Sequence, residues 1–321
     1  MEQTNIRAVA CVGVGVIGAS FALQFAWKGY PVTLCDVAQA ALEGAKKNAR
    51  ENLNVLIENG IITAAEALEI EGRMTYTTDL AEAVRNVQFI QESGPENYGM
   101  KQPLLAQIEA YTSPDTVIAT STSGLLVTKI AEQMVHPERL IGGHPYNPPH
   151  LIPLVEVAKG EKTKDWVVQK TCAFYKSCGK EPVVLNKEVS GFISNRLQVA
   201  VYREIIDLVQ NDVCSLADAD RALLYGPGLR WGIMGPSMIF HLAAGELGIG
   251  VTMERQRESL DERLKDMAAW KHFPKELAEL TANGIQEALN QRTEKEGRTI
   301  DKARVYRDKM LLELLKLHNK L

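Results

Sequence analysis

The stretch that decides the fold is AVACVGVGVIGASFALQFAWKGYPVTLCD, residues 8–36. An apolar, strand-like run (7–13) leads into Gly13, Gly15 and Gly18 in G-x-G-x-x-G order. An amphipathic segment follows, and a second β-rich run (31–36) closes on Asp36. The glycine pattern alone is weak, but between a strand and a helix it acquires a mechanism. Gly13 permits a tight turn, Gly15 lets the backbone approach a pyrophosphate, and Gly18 lets the helix pack on the strand. Val14, Val16 and Ile17 complete this loop, whose helix N-terminus offers free N–H groups and a positive dipole end to phosphates. Asp36 lies 18 residues past Gly18, where an acid hydrogen-bonds both ribose hydroxyls and repels a 2′-phosphate. No arginine follows in DVAQA, so the cofactor expected is NAD rather than NADP.

Further β-rich runs appear at 87–93 (VQFIQES), 116–123 (TVIATSTS), 139–146 (RLIGGHPY), 154–158 (LVEVA) and 181–186 (EPVVLN). The early runs are almost continuously apolar, as parallel strands covered on both faces are, and the helical segments between them make βαβ units. Residues 37–72 form a longer charged helical insert that Gly60 divides in two. After Asn186 the texture changes. SGFISNRLQVAVYREIIDLVQND has apolar residues at helical spacing, and nearly everything to Leu321 reads as helix. The expected architecture is an α/β Rossmann-like domain, residues 1–186, with a mostly parallel sheet and a helical insert. An all-α domain follows, residues 187–321.

The bulk numbers agree with this. The chain has 321 residues, 45% hydrophobic and 24% charged, with a formal net charge of -4 and no long charged block. Nucleic acid and anionic membranes are therefore not expected as partners. No apolar run has the length of a membrane span, and MEQTNIRAVACVG shows no basic region ahead of an apolar one, so a cytoplasmic protein is expected. Five cysteines, an odd number without C-x-x-C spacing, read as reduced thiols and not as a zinc site. No metal is expected.

Ligands of open α/β sheets bind outside the carboxyl ends of the strands. Those ends are Asp36, QESGPEN (91–97), STSG (121–124) and GGHPYN (142–147). His144 is the natural acid or base there, since imidazole titrates near working pH. Glu156 is the one charge in the apolar run LIPLVEVA, either buried beside the histidine or facing solvent at an edge. Ser123 is a donor to a substrate oxygen or the N-cap of GLLVTKIAEQM. Asn195 is a second donor or an interhelical link. Gly142 and Gly143 are expected to let the backbone come close to the cofactor.

These motifs together resemble the 3-hydroxyacyl-CoA dehydrogenase superfamily along essentially the whole chain. QESGPENYGMK is similar to its E-N-x-x-x-K segment, which implies that Glu96 and Lys101 lie on the cofactor. STSGL is similar to N-T-S-S-L and implies that Ser123 holds the substrate hydroxyl, with Ser121 on the cofactor side. GGHPYNPPHLIPLVEV is similar to G-x-H-x-x-N-P-x-x-x-x-x-L-V-E-V. That likeness implies His144 as catalytic base, Glu156 as its carboxylate partner and Asn147 as a cofactor contact. SGFISNRL is similar to G-F-x-x-N-R and gives Asn195 the substrate-side role.

The departures are informative as well. Ser121 stands where the acyl-CoA enzymes usually have Asn. The segment NVLIENGIITAAEALEIEG is poor in basic residues, and the chain ends DKARVYRDKMLLELLKL, without K-x-G-x-G-F-Y. These features, with GPGLRWGIMGP, resemble the carnitine dehydrogenase and L-gulonate 3-dehydrogenase (lambda-crystallin) branch. Trp231 either faces a trimethylammonium group by cation–π attraction or is core packing. The resemblance implies an NAD-dependent oxidation of a small-molecule L-3-hydroxy acid, carnitine- or gulonate-like, by a homodimer. A short-chain 3-hydroxyacyl-CoA dehydrogenase, acting on the CoA thioester, is the alternative.

Overall fold

The computed structural model describes residues 5–321. One sheet carries eight strands in the order β3-β2-β1-β4-β5-β6-β7-β8. In chain order the elements begin with β1 (Val9–Val12), α1 (Val16–Trp27), β2 (Val32–Cys35), α2 (Gln39–Glu58), α3 (Ala64–Gly72) and β3 (Met74–Thr77). Then come α4 (Leu80–Val84), β4 (Phe89–Glu92), α5 (Tyr98–Ala110), β5 (Val117–Thr120), α6 (Val127–Ile130), β6 (Leu140–Pro145), β7 (Leu154–Lys159), α7 (Asp165–Ser177) and β8 (Glu181–Leu185). Strands β1 to β6 are parallel, and β7 runs antiparallel to β6 and parallel to β8. The order reverses at β1, between β2 and β4, which opens a crevice at their carboxyl ends.

All seven expected strand runs are present. The eighth, β3, comes from MTYT at the sheet edge and is partly exposed. Strands β1, β4 and β5 are buried throughout, as their apolar runs require. Helix α1 is buried from Gly18 through Ala26. Helix α2 buries a stripe of Leu42, Ala45, Ala49, Leu53 and Leu56, the helical spacing of one face. Gly60 ends it with φ +67, a conformation glycine adopts without cost. A capping box then starts α3: Thr63 Oγ1 accepts from Glu66 N at 3.2 Å and Glu66 Oε2 from Thr63 N at 2.7 Å.

One face of the sheet is sealed by Phe21, Phe25, Phe89, Phe174 and Tyr175, with Phe89 and Phe174 centroids 4.3 Å apart. Each such buried ring contributes roughly 1.5–3 kcal/mol of burial energy. The chain forms two compact units. The sheet unit runs through Asn195 and includes Leu311–Leu321, and the second unit is Arg196–Met310. The sheet unit therefore continues past the expected boundary after residue 186.

The helices that follow are α8 (Ser194–Gln210), α9 (Leu216–Leu223), α10 (Leu229–Trp231), α11 (Pro236–Ala243), α12 (Gly248–Asp266), α13 (Leu277–Gln291) and α14 (Ile300–Leu317). The second unit is wholly helical. Its core is Ile205, Ile206, Leu216 and Ala219 with partly buried neighbours that include Trp270, and Trp270 Nε1 donates to Asp207 Oδ1 at 2.8 Å. Helices α10, α11, α12 and α13 have no buried residue. At the chain end Leu312 and Leu315 are buried in the core of the sheet unit.

Candidate active site

The glycine loop fits a dinucleotide. Gly13 has φ +83. A Cβ on Gly18 would lie 1.9 Å from Gly13 O, so helix and turn are in direct backbone contact. A Cβ on Gly15 would meet nothing within 4 Å, which leaves open space where a pyrophosphate is to approach. No side chain caps the N-terminus of α1, which leaves its end to a ligand. Asp36, at the end of β2, accepts from Val14 N at 3.0 Å and Ala38 N at 3.1 Å. These residues can hold NAD.

His144 and Glu156 face each other across the β6–β7 ladder as register partners. The hairpin Tyr146–Pro153 between the strands produces this placement. His144 Nδ1 lies 2.8 Å from Glu156 Oε2, with the side chains 8% and 1% exposed. The edge reading of Glu156 is thereby excluded. Three further donors reach the carboxylate: Ile193 N at 2.8 Å and Ser194 N at 2.9 Å on Oε1, and Ser194 Oγ at 2.6 Å on Oε2. Phe192 adopts φ +48, unusual for a bulky residue, in the turn that carries those two N–H groups. Its ring lies 5.5 Å from the imidazole, and it is fully buried. Burial raises the Glu156 pKa, but the donors His144, Ser194 and Ile193 outweigh it and pull the group down to about 2. The carboxylate is ionised and can only accept. The proton between the pair therefore sits on Nδ1, which fixes the tautomer: in the neutral ring the lone pair is on Nε2.

Glu96 organises the STSG turn. Its Oε1 accepts from Thr122 Oγ1 at 2.8 Å, Ser123 N at 2.7 Å, Ser123 Oγ at 3.1 Å and Gly124 N at 3.1 Å. Ser123 does not cap α6, whose N-cap is Leu126. Asn195 Nδ2 donates to Ser123 O at 3.2 Å, which ties the two expected substrate-side residues together. Lys101 is 1% exposed. Its ammonium donates to both Glu92 oxygens at 2.9 Å and to Gly94 O at 3.1 Å.

The loop after His144 is anchored on both sides. Ser20 Oγ of α1 accepts from His150 N at 2.9 Å and lies 2.7 Å from His150 Nδ1. Lys180 donates to Pro149 O and, at 3.0 Å, to Ile152 O. Asn147 is exposed on this loop. The glycines before His144 have a different reason from the one expected. A Cβ on Gly143 would lie 2.1 Å from Tyr175 Oη, and one on Gly142 would lie 3.1 Å from Val127 Cγ2. They admit side chains packed on the sheet. Trp231 is 42% exposed in the second unit, so it is not core packing there.

Ser194, Phe192, Thr122 and Lys180 are not legible as site residues, because each meets its partner through long-range packing, and Glu92 is hidden inside the buried strand β4. Among the described residues no cluster of His, Cys, Asp or Glu could hold a metal ion. No helix among them is long and apolar enough to cross a membrane.

A sheet in 3-2-1-4-5-6 order, a glycine turn with open space over Gly15 and an acid at the end of β2 define a dinucleotide-binding fold. Residues 8–189 match the 3-hydroxyacyl-CoA dehydrogenase NAD binding domain, and residues 191–306 match the C-terminal domain of the same family. The chain belongs to the 3-hydroxyacyl-CoA dehydrogenase family, and its cofactor is NAD. It is 38% identical to an L-carnitine dehydrogenase of Streptomyces coelicolor, over 99% of this chain and 96% of that one. A Bacillus cereus L-carnitine dehydrogenase is 37% identical, over 100% and 95%. The fold is similar to that of an NAD+-dependent 5-formyl-3-hydroxy-2-methylpyridine 4-carboxylic acid 5-dehydrogenase. That structure gives a TM-score of 0.80 and 29% identity, covering 98% of this chain and 97% of that one. An Escherichia coli 3-hydroxybutyryl-CoA dehydrogenase gives a TM-score of 0.66 and 32% identity, covering 74% and 50%.

Proposed function

We propose that the protein oxidises L-carnitine or a close L-3-hydroxy acid, such as a gulonate, to the 3-keto acid. The observation that carries the chemistry is the His144–Glu156 hydrogen bond, which leaves Nε2 as a base. When bound, NAD supplies the acceptor for the hydride that leaves the carbinol carbon. His144 Nε2 takes the hydroxyl proton as the carbonyl forms, and Glu156 stabilises the imidazolium. Ser123 and Asn195 hold the substrate oxygen as its bond order changes. Glu96, Lys101, Ser121 and Asn147 shape the cofactor side, Lys101 through the Glu92 network that supports the β4 end.

One observation supports the carnitine type, the names of the similar curated proteins, and a contact of the Trp231 indole with a quaternary ammonium belongs to the same reading. The test is a panel of L-carnitine, L-gulonate and acetoacetyl-CoA read by NADH absorbance or fluorescence. Turnover of L-carnitine is expected. Robust turnover of acetoacetyl-CoA alone would replace this reading with a short-chain acyl-CoA dehydrogenase. Tight NADH binding with no turnover on any of them would point to a structural role.

In the same reading residues 1–186 bind NAD, and residues 187–321 bring substrate and a second copy of the chain. The dimer is supported by helices of the second unit that bury nothing in one copy while exposing Leu229, Met238, Phe240 and Leu242. Light scattering on the eluted protein measures it. A cytoplasmic location accords with five free cysteines.

A further inference from the structure

Behind the cofactor-facing ends of β4 and β5 runs a buried hydrogen-bond chain that the chemistry above does not use. Tyr175 Oη on α7 lies 2.6 Å from Gln91 Oε1 on β4. Gln91 Nε2 lies 2.8 Å from Ser121 Oγ and 3.2 Å from Gly143 O. Ser121 Oγ lies 2.7 Å from Ser93 Oγ. Tyr175 and Gln91 are fully buried, whereas the two serines are only partly so. Ser93 borders the glycine loop, since a Cβ on Gly13 would lie 2.8 Å from its backbone and one on Gly18 3.3 Å from its Cβ.

We propose that Tyr175 and Gln91 are positioning residues that set the proton direction of the Ser93–Ser121 pair, so that the pair presents a donor to an oxygen of the bound dinucleotide. This rests on the reading of Ser121 as a cofactor-side residue.

The direction follows from counting protons. Gly143 O can only accept, so the Gln91 amide turns its nitrogen toward it. The amide oxygen then faces Tyr175, which donates. Burial, reinforced by Cys178, Cys11 and Cys172, raises the Tyr175 pKa well above its ordinary value, so the phenol keeps its proton. Gln91 gives its second N–H to Ser121 Oγ, which is thereby already an acceptor. The two serines hold two O–H protons. One lies between them, and the other has no partner among the described residues and is left for the rim. With the amide reversed, Ser121 would donate to Gln91, Ser93 would donate to Ser121, and the rim would lose its donor. The space over Gly143 is what admits the Tyr175 hydroxyl that opposes this reversal.

The test is NADH binding by fluorescence titration on Y175F, Q91M, S121A, Y175F/S121A and Q91M/S121A, with thermal midpoints recorded for each. Y175F and Q91M are expected to weaken NADH binding by about threefold to tenfold, the scale of one net hydrogen bond. In the S121A background neither should weaken it further, a coupling that a merely structural effect would not show. Should Y175F not accumulate as folded protein, Q91M carries the same cycle. Wild-type affinity in both Y175F and Q91M, or equal losses with and without Ser121, overturns the proposal. Wild-type affinity in S121A itself overturns the cofactor-side reading of Ser121, and this inference with it.

Discussion

His144 and Glu156 are register partners on antiparallel neighbours, with Nδ1 2.8 Å from Oε2. The ladder sets this distance, so the pair is held before any ligand arrives. His144→Gln removes the base and leaves the glycine loop intact. It is expected to lower kcat by about 10²–10⁴-fold with NADH affinity unchanged. Stopped-flow turnover and a fluorescence titration check this, and near-normal turnover would remove His144 from the proposed role.

Glu156 also links the site to acid stability. Its folded pKa of about 2 lies below the ordinary 4.5. The stability it contributes is present in full above about 4.5 and is lost as pH falls toward 2. Glu156→Gln leaves four donors without a charged acceptor and should cost about 3 kcal/mol at neutral pH. Urea midpoints of wild type and variant should converge as pH drops through this window. Curves that stay parallel contradict the account.

Much of this was readable in the chain. Gly13, Gly15, Gly18 and Asp36 announce the turn and the acid because local spacing dictates both. The strand ends carrying His144 and Ser123 follow from apolar runs broken by polar residues. The edge strand β3 is not legible in the sequence because Thr75 and Thr77 give it little apolar signal. Ser194 meets Glu156, and Tyr175 meets Gln91, across 38 and 84 residues of chain. Pairings of that kind depend on how helices seat on the sheet, which periodicity does not encode. Gly143 shows the same limit: its glycine is required by Tyr175, a residue distant in sequence.

Lys180 gives a stability slope of the opposite origin. Burial pushes its pKa down to about 7 from 10.5. Between those values the unfolded chain binds a proton that the fold does not, so this group makes stability rise with pH above about 7. Below 7 the cost of the buried ammonium is fully present. Lys180→Met removes the slope and strands the carbonyls of Pro149 and Ile152, at about 1–3 kcal/mol near pH 9. The wild-type minus variant difference in unfolding free energy should grow from pH 7 to pH 10. A difference that does not change with pH would show that Lys180 does not titrate there.

Two alanine substitutions in the glycine loop separate folding from cofactor binding. At Gly18 a Cβ would lie 1.9 Å from Gly13 O, backbone against backbone, with no flexible side chain to yield. Gly18→Ala should therefore lower the thermal midpoint as well as NADH affinity. At Gly15 a Cβ enters open space and the backbone has φ -60, which alanine adopts freely. Gly15→Ala should keep the wild-type midpoint yet bind NADH at least about tenfold more weakly, because the methyl group occupies the approach of the pyrophosphate. Calorimetry and a fluorescence titration on the same preparations give both numbers. Unchanged NADH affinity in Gly15→Ala would mean that the dinucleotide does not pass over this residue, and the open space would need another occupant.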